Sequence, residues 1–160
     1  MIVATGCNRP SDFASGTLQS YVNTKYGYSL DFPREHEIRG VNEFGTDVPV
    51  TSDTENIELR PRGDDDILLA VQARTDVKMW TPEIVKHEFS EPFTVVAVEV
   101  DDLAALKATY DGSDRSVVSD FYFLTSPRGM PFEITVLSRN APQDLINQAQ
   151  VIFGSLHFAK

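Results

Sequence analysis

Apolar and polar residues alternate through most of the chain from about residue 26, which is the pattern of half-buried β-strands. The alternation is clearest in residues 132–137, whose apolar side chains occupy every second position. By contrast, residues 34–56 show no such period and predict a long irregular excursion holding at most a short strand or a turn. The strands predicted on this basis are residues 26–32, 57–60, 67–74, 94–100, 117–124 and 132–137.

Two turns join neighbouring predicted strands into hairpins. Residues 61–64 place Pro and Gly between two of the strands. Residues 126–129, Ser-Pro-Arg-Gly, carry proline at the second position of a β-turn and glycine at the fourth. The strand at 67–74 begins with apolar residues on both faces, which is typical of a central strand in a covered sheet.

A short helix is expected after residue 80. Thr81 can cap it, and Pro82 has the fixed φ that suits the first helical position. Trp80 precedes the cap and can pack on Val85 as a hydrophobic staple.

A second helix is expected near the end of the chain, where apolar residues from Leu145 to Leu156 recur at intervals of three and four. Asn140 is its expected cap, and Gln143 would complete a capping box. Residues 101–110 fit a helix by their Ala and Leu content and a strand by their alternation. Taken together, the elements indicate an α+β domain with a mostly antiparallel sheet.

Length and charge limit the function classes. A chain of 160 residues suits one domain with a single core. The net charge of −10 disfavours nucleic acid and favours cations or a basic protein face. Acidity that only maintains solubility is the commoner alternative. No apolar run is long enough to span a bilayer, so membrane attachment would need a lipid.

Cys7 is the only cysteine and ends the sequence Ala-Thr-Gly-Cys, which resembles a bacterial lipobox. Residues 1–7 are then the remnant of a lipoprotein signal, residues 8–20 a flexible polar linker, and residues 21–160 a single domain. Residues 1–3 supply almost none of the apolar stretch of a full signal. An incidental cysteine in an unstructured N-terminus is therefore the alternative.

No catalytic motif is present. His36, His87 and His157 belong to no His-Glu-x-x-His zinc motif, and no Gly-x-Ser-x-Gly elbow occurs. His157 is expected at the edge or rim of the core. We therefore expect no enzyme activity and no cofactor, with a divalent cation as the one candidate ligand.

Two kinds of candidate site remain. Acidic turns can supply the oxygen ligands that hard cations take, although such turns are usually only solvated. The candidate ligands are Asp64, Asp65, Asp66, Asp111 and Asp114. Met79 and Trp80 are candidates for a partner surface, and the staple explanation for Trp80 needs no partner.

Three stretches of the sequence are together similar to parts of one known domain family. The first is residues 18–22 followed by residues 26–33, where an aromatic-Gly-Tyr strand runs into a proline. The second is residues 105–110, and the third is the closing helix running into Ser-Leu-His-Phe at 155–158. The three resemble the PsbP-like domain family, in which the second corresponds to a mid-domain strand. The chain departs from the family at residues 34–38, which lack the tryptophan usual after that proline.

The resemblance implies an α-β-α sandwich with a central, mostly antiparallel sheet, and it favours a strand at 103–110. It implies no enzyme activity. Bacterial members are often lipoproteins, and photosynthetic members associate with photosystem II. We therefore expect a lipid-anchored extracytoplasmic domain in the periplasm, on the cell surface or in a thylakoid lumen, binding a protein partner or membrane complex. The alternative is a metal- or small-ligand-binding domain that uses its acidic loops.

Overall fold

The computed structural model describes residues 17–89 and 92–160. Two helices and eleven strands occur in this part of the chain. In chain order they are β1 (Leu18–Asn23), β2 (Tyr28–Pro33), β3 (His36–Val41), β4 (Asp47–Val48), β5 (Asn56–Pro61), β6 (Leu69–Ala73), α1 (Pro82–Glu88), β7 (Phe93–Val100), β8 (Leu103–Tyr110), β9 (Ser119–Thr125), β10 (Pro131–Leu137), α2 (Gln143–Gly154) and β11 (His157–Phe158).

The strands form two antiparallel sheets. The large sheet has the order β4-β3-β5-β6-β10-β9-β8-β7, and the small sheet has the order β1-β2-β11. The predicted hairpins are confirmed as β5–β6 and β9–β10, and the Gly129 N–H donates to the Ser126 carbonyl within the second turn. Residues 103–110 are strand β8, as the resemblance implied. The α+β class with a mostly antiparallel sheet is therefore confirmed.

Alternation along the strands divides the core between the two faces of the large sheet. On one face, Val71 and Ile134 pack in a cluster with residues of α2 and the small sheet. On the other, Trp80, Val85 and Phe123 form a separate cluster with α1. We call the first the α2 face and the second the Trp80 face. Burial of these side chains stabilises each layer by about 1.5–3 kcal/mol per large apolar residue.

The fold begins earlier than the sequence predicted, and its second strand begins later. Strand β1 starts at Leu18, three residues before the predicted start of the domain at residue 21. Strand β2 starts at Tyr28 because Gly27 lies in a turn with φ 73° and donates its N–H to the Asn23 carbonyl. The buried Asn23 side chain holds this turn by accepting from the Tyr26 N–H at 2.9 Å.

Residues 34–56, which were expected to hold at most a short strand or a turn, contain the six-residue strand β3 and the two-residue strand β4. Strand β3 pairs with β5 over five positions, with Ile38 opposite Leu59. Its core-facing positions are His36, Ile38 and Gly40, so the alternation is present, but only one of the three is a large apolar residue. The opposite face carries the Arg39–Glu37 ion pair, and the facing residues of β5 are also charged.

One of the two predicted helix caps is confirmed, and the other is wrong. Thr81 caps α1 as predicted, its hydroxyl accepting from the Ile84 N–H at 3.3 Å. The capping box predicted for α2 is wrong, because Pro142 is the N-cap and no side chain caps it. Asn140 instead has φ 53° and donates to the Val117 carbonyl. No helix in the described residues is long and apolar enough to cross a membrane.

Candidate functional site

Trp80 and Met79, the two residues predicted to form a partner surface, differ in exposure. Trp80 is only 9% exposed, and its ring packs edge-on against Phe123 with centroids 4.7 Å apart. It shares this cluster with the fully buried Val85, consistent with the predicted staple. Met79 is 62% exposed. Trp80 is therefore a structural anchor, and Met79 is the residue of the pair that a partner can reach.

A mainly apolar groove of about 430 Å³ opens on the Trp80 face. Trp80 and Pro82 line it from the start of α1, while Ala97, Ala104 and Leu106 line it from strands β7 and β8. Met79 precedes Trp80 in the chain, and Ile84, also partly exposed, lies in the first turns of α1. Apolar side chains thus line a concave surface, which is the usual character of a protein- or ligand-binding site.

An ionic network fixes α1 to the sheet beside this groove. Arg74 donates to Asp76 at 2.9 Å, to Glu88 of α1 at 3.2 Å and to Glu133 of β10 at 2.6 Å. Its guanidinium also lies 5.4 Å from the Trp80 ring centroid, within cation–π distance. One cation therefore ties together the helix, the central strand and the buried indole.

The pKa values in this network move according to burial and pairing. The hydrogen bond from Arg74 lowers the pKa of Asp76, which is well exposed. Burial raises the pKa of Glu133, although Arg74 opposes that rise. Hydrogen bonding, first to Asp76, raises the pKa of Arg74 further above its usual range. Arg74 therefore stays charged. Glu133 is the carboxyl group of this network whose pKa lies above the usual glutamate value.

The first acidic turn, at Asp64, Asp65 and Asp66, follows β5. The Asp64 carboxylate accepts from the Asp66 backbone N–H at 3.1 Å. The Asp65 side chain is 97% exposed and lies 3.5 Å from Arg60. Asp64 therefore accepts a hydrogen bond within its own turn, and Asp65 pairs with the Arg60 side chain. The carboxylates do not converge on one point.

The second acidic loop, with Asp111 and Asp114, follows β8. Asp111 accepts from the Thr94 hydroxyl, and Asp114 accepts from the Ser116 N–H at 2.8 Å. The latter bond lowers the pKa of Asp114. Strand β10 lies between the hairpins that carry the two acidic turns. Within residues 17–89 and 92–160, no three His, Cys, Asp or Glu side chains are arranged to hold a metal ion.

A polar cleft of about 890 Å³ is the site that the sequence did not predict. Its acidic lining residues are Glu43, Asp53, Glu55 and Asp76. They come from the β3–β4 turn, the loop before β5 and the segment after β6. Only the pairing of β3, β5 and β6 brings these segments together. Because these segments are separated along the chain, a search for local acidic runs does not find the cleft.

His36 and His157 contact different parts of the fold. His36 is 1% exposed, and its Nε2 lies 2.8 Å from the Gln148 side-chain oxygen. His157 is exposed, not in the core rim, and its Nδ1 lies 3.0 Å from Asp101. Asp101 also accepts from the Phe158 N–H at 2.7 Å. The His157–Asp101 pair therefore ties β11 to the β7–β8 turn, and no hydroxyl donor is bonded to it in the described chain.

Cys7 lies outside the described residues, as does most of the predicted linker. The candidate sites within the described residues are thus the groove on the Trp80 face, the two acidic turns and the acidic cleft. The first is mainly apolar, whereas the others are polar.

Comparison with solved structures identifies a similar fold. The solution structure of cyanobacterial PsbP (CyanoP) from Synechocystis sp. PCC 6803 matches with a TM-score of 0.55 and 17% sequence identity. The match covers 97% of this chain and 98% of that one. No family model matches the sequence, and no curated protein matches it. The chain therefore has a PsbP-like fold over almost its whole length.

Proposed function

We propose that this chain is a non-enzymatic, lipid-anchored extracytoplasmic domain that binds a protein partner or membrane complex through the Trp80 face. The observation that carries the proposal is the PsbP-like fold across 97% of the chain. The PsbP-like resemblance of the sequence implies an accessory role without catalysis. In a photosynthetic source, a photosystem would be the corresponding complex.

The layer order supports the same family architecture. The two core clusters lie on opposite faces of the large sheet, one with α2 and one with α1. We infer from this an α-β-α sandwich, with the small sheet alongside α2. The groove lies between the start of α1 and strands β7 and β8, and Met79 is exposed just before that helix. Apolar side chains in such a position are typical of protein interfaces.

Attachment at Cys7 is tested separately from partner binding. The gene is expressed in its own host with its natural upstream sequence, and cells are separated into membrane and aqueous fractions. We expect the wild-type protein in the membrane fraction and the Cys7→Ser variant in the aqueous fraction. A Cys7→Ser variant that remains with the membranes would remove the lipid anchor from the proposal.

Partner binding is tested by the size of the native assembly after mild solubilisation. The wild-type protein should migrate in a species larger than the 17.8 kDa chain. Met79→Asp should shift it towards the free chain, because a charge would be buried at an apolar interface. Phe44, which is 82% exposed in the β3–β4 turn, gives the matched control Phe44→Asp. Equal shifts with both variants would contradict a role for the Trp80 face.

The second candidate is a domain that binds a divalent cation or small ligand at its acidic loops. The acidic cleft, which adds four carboxylates to the turn aspartates, is the observation that favours it. Titration calorimetry with calcium and manganese distinguishes the two candidates. Heat of binding that disappears in an Asp53→Asn, Glu55→Gln variant would favour this candidate at the cleft. Heat that disappears instead in an Asp64→Asn, Asp66→Asn variant, or in an Asp111→Asn, Asp114→Asn variant, would favour it at a turn. An absence of heat at millimolar metal would eliminate the cation.

A further inference from the structure

The large sheet ends in two very different edge strands. At one edge lies β4, with only two residues. At the other lies β7, with eight, and no strand of the described chain pairs with its outer side. Long exposed edges present rows of unpaired N–H and C=O groups to any extended chain that approaches. Of the two edges of the large sheet, β7 is therefore the one more open to strand addition.

The hydrogen-bond register shows which groups of β7 point outward. The Asp111 N–H donates to the Pro92 carbonyl, so residues 92 and 111 form a hydrogen-bonded pair. In an antiparallel ladder such pairs recur at every second residue. With Phe93 opposite Tyr110, the even-numbered residues of β7 bond to β8. The outward N–H and C=O groups belong to Phe93, Val95, Ala97 and Glu99.

The side chains of β7 leave this edge unprotected. Natural edge strands usually carry lysine, proline or a bulge. The strand sequence Phe-Thr-Val-Val-Ala-Val-Glu-Val has one charge, Glu99, near its end, and no proline. Val96 projects on the α2 face and is 46% exposed. An apolar β-branched residue lies exposed at the centre of the free edge, where a second strand would cover it.

We propose that a second copy of this chain pairs antiparallel with β7 and joins the two large sheets into one. The twofold axis passes between the Val96 side chains of the two copies. In this register Phe93 faces Glu99 of the other copy, and Val95 faces Ala97. All four outward residues on each copy are then hydrogen-bonded. A shift of the axis to residue 97 pairs only three of them within β7, so the centred register is the best one.

The charges of the strand fit this arrangement. Each Glu99 faces a phenylalanine, and the two Glu99 side chains lie six residues apart along the seam, roughly 20 Å. No like charges therefore face each other, whereas facing like charges would destabilise the pair. The effect that still opposes pairing is the repulsion between the two copies, each with a net charge of −10. That repulsion is screened by salt, so the association should strengthen as ionic strength rises.

Pairing through β7 also fixes how the two partner-binding grooves are arranged. An axis at right angles to the sheet keeps equivalent faces on the same side of the joined sheet. The two grooves on the Trp80 face would thus open in the same direction. A dimer could therefore engage a partner that carries two sites, and each contact would raise the effective concentration for the other.

Disulfide trapping tests the register directly. The chain has one cysteine, so a Cys7→Ser background carries no thiol. Val96→Cys then places two thiols opposite each other across the axis, in a non-hydrogen-bonded pair whose Cβ atoms lie close together. Under mild oxidation we expect a covalent dimer. Thr94→Cys is the matched control, since residue 94 faces residue 98 of the other copy and should give little dimer alone.

A mixture of the Thr94→Cys and Val98→Cys proteins should form the mixed dimer, because those positions face each other. Equal trapping of Val96→Cys and Thr94→Cys would overturn the register. Trapping of neither would overturn the pairing.

Sedimentation velocity measures the association without cysteines. A strand edge alone buries less area than a standard interface, so we expect a weak dimer that forms at high protein concentration. Its dissociation constant should fall as sodium chloride rises from about 50 to about 500 mM. Val96→Lys should raise the dissociation constant about tenfold or more, while Met79→Lys should leave it unchanged. A wild-type protein that stays monomeric at every salt and protein concentration would refute the proposal.

Discussion

At the scale of single residues, Trp80 and Met79 show how neighbours in sequence take different roles. Trp80 is enclosed by Phe123 and Arg74, whereas Met79 is exposed. Trp80→Ala should lower the free energy of unfolding by about 3–5 kcal/mol, because a large buried ring is removed. Met79→Ala should change it by less than about 0.5 kcal/mol. Urea denaturation of both variants checks the pair, and similar losses would show that Met79 is structural.

Glu133 gives a pH prediction at the same scale. Burial raises its pKa in the folded protein, so the folded state keeps a proton that the unfolded chain releases. Its contribution to stability should therefore decrease as pH rises from about 4.3, the unfolded glutamate value, through the raised pKa. Glu133→Gln cannot release that proton.

The stability of the wild-type protein minus that of Glu133→Gln should consequently fall over this pH range and then level off. Urea titrations at a series of pH values measure it. A difference that grows with pH would mean that the ion pair with Arg74 outweighs the cost of burial.

At the scale of elements, local chemistry predicted some boundaries and missed others. Thr81 capped α1 as predicted, because its hydroxyl accepts from the Ile84 N–H within the first turn of the same helix. Asn140 did not cap α2, because its side chain found the Val117 carbonyl of a loop distant in sequence. Strand β3 was not located because two of its core-facing positions are His36 and Gly40, which are buried but do not count as apolar in the pattern. Sequence patterns detect apolar side chains, so they fail where other residues occupy the buried positions.

The caps provide a matched pair of variants. Thr81→Ala should destabilise the protein by about 1 kcal/mol, since the Ile84 N–H loses its partner. Gln143→Ala should cost less than about 0.5 kcal/mol, because Gln143 is exposed and bonds only to Asn147 in its own helix. Thermal unfolding measures both. A larger loss of stability for Gln143→Ala than for Thr81→Ala would contradict this account and support the capping box predicted for α2.

The β7–β8 turn carries a second prediction for an element. Asp101 and Asp102 have φ of 50° and 60°, the positive values that a two-residue type I′ turn requires. Asp101 has a further role, since it accepts from the Phe158 N–H. Asp102→Gly keeps that bond and supplies the preferred Asp-Gly turn, so it should stabilise the protein by about 0.5–1 kcal/mol. Asp101→Gly should destabilise it, and stabilisation by both would show that the Phe158 contact contributes little.

At the scale of the whole molecule, the short motifs and the fold agree. The aromatic-Gly-Tyr strand and the closing helix pointed to the PsbP-like architecture that the structural match shows. The candidate sites were less predictable. The groove needs β7, β8 and the start of α1 together, and the acidic cleft needs three separate segments. Such sites depend on sheet register between distant residues, which no single stretch of sequence specifies.

The most direct test of the account is photo-crosslinking from position 79 in native membranes. A photoreactive amino acid replaces Met79 in one sample and the exposed Phe44 in another. After irradiation, we predict one discrete adduct from position 79 and none of the same size from position 44. A discrete adduct from position 44 alone, or no adduct from position 79, would contradict partner binding through the Trp80 face.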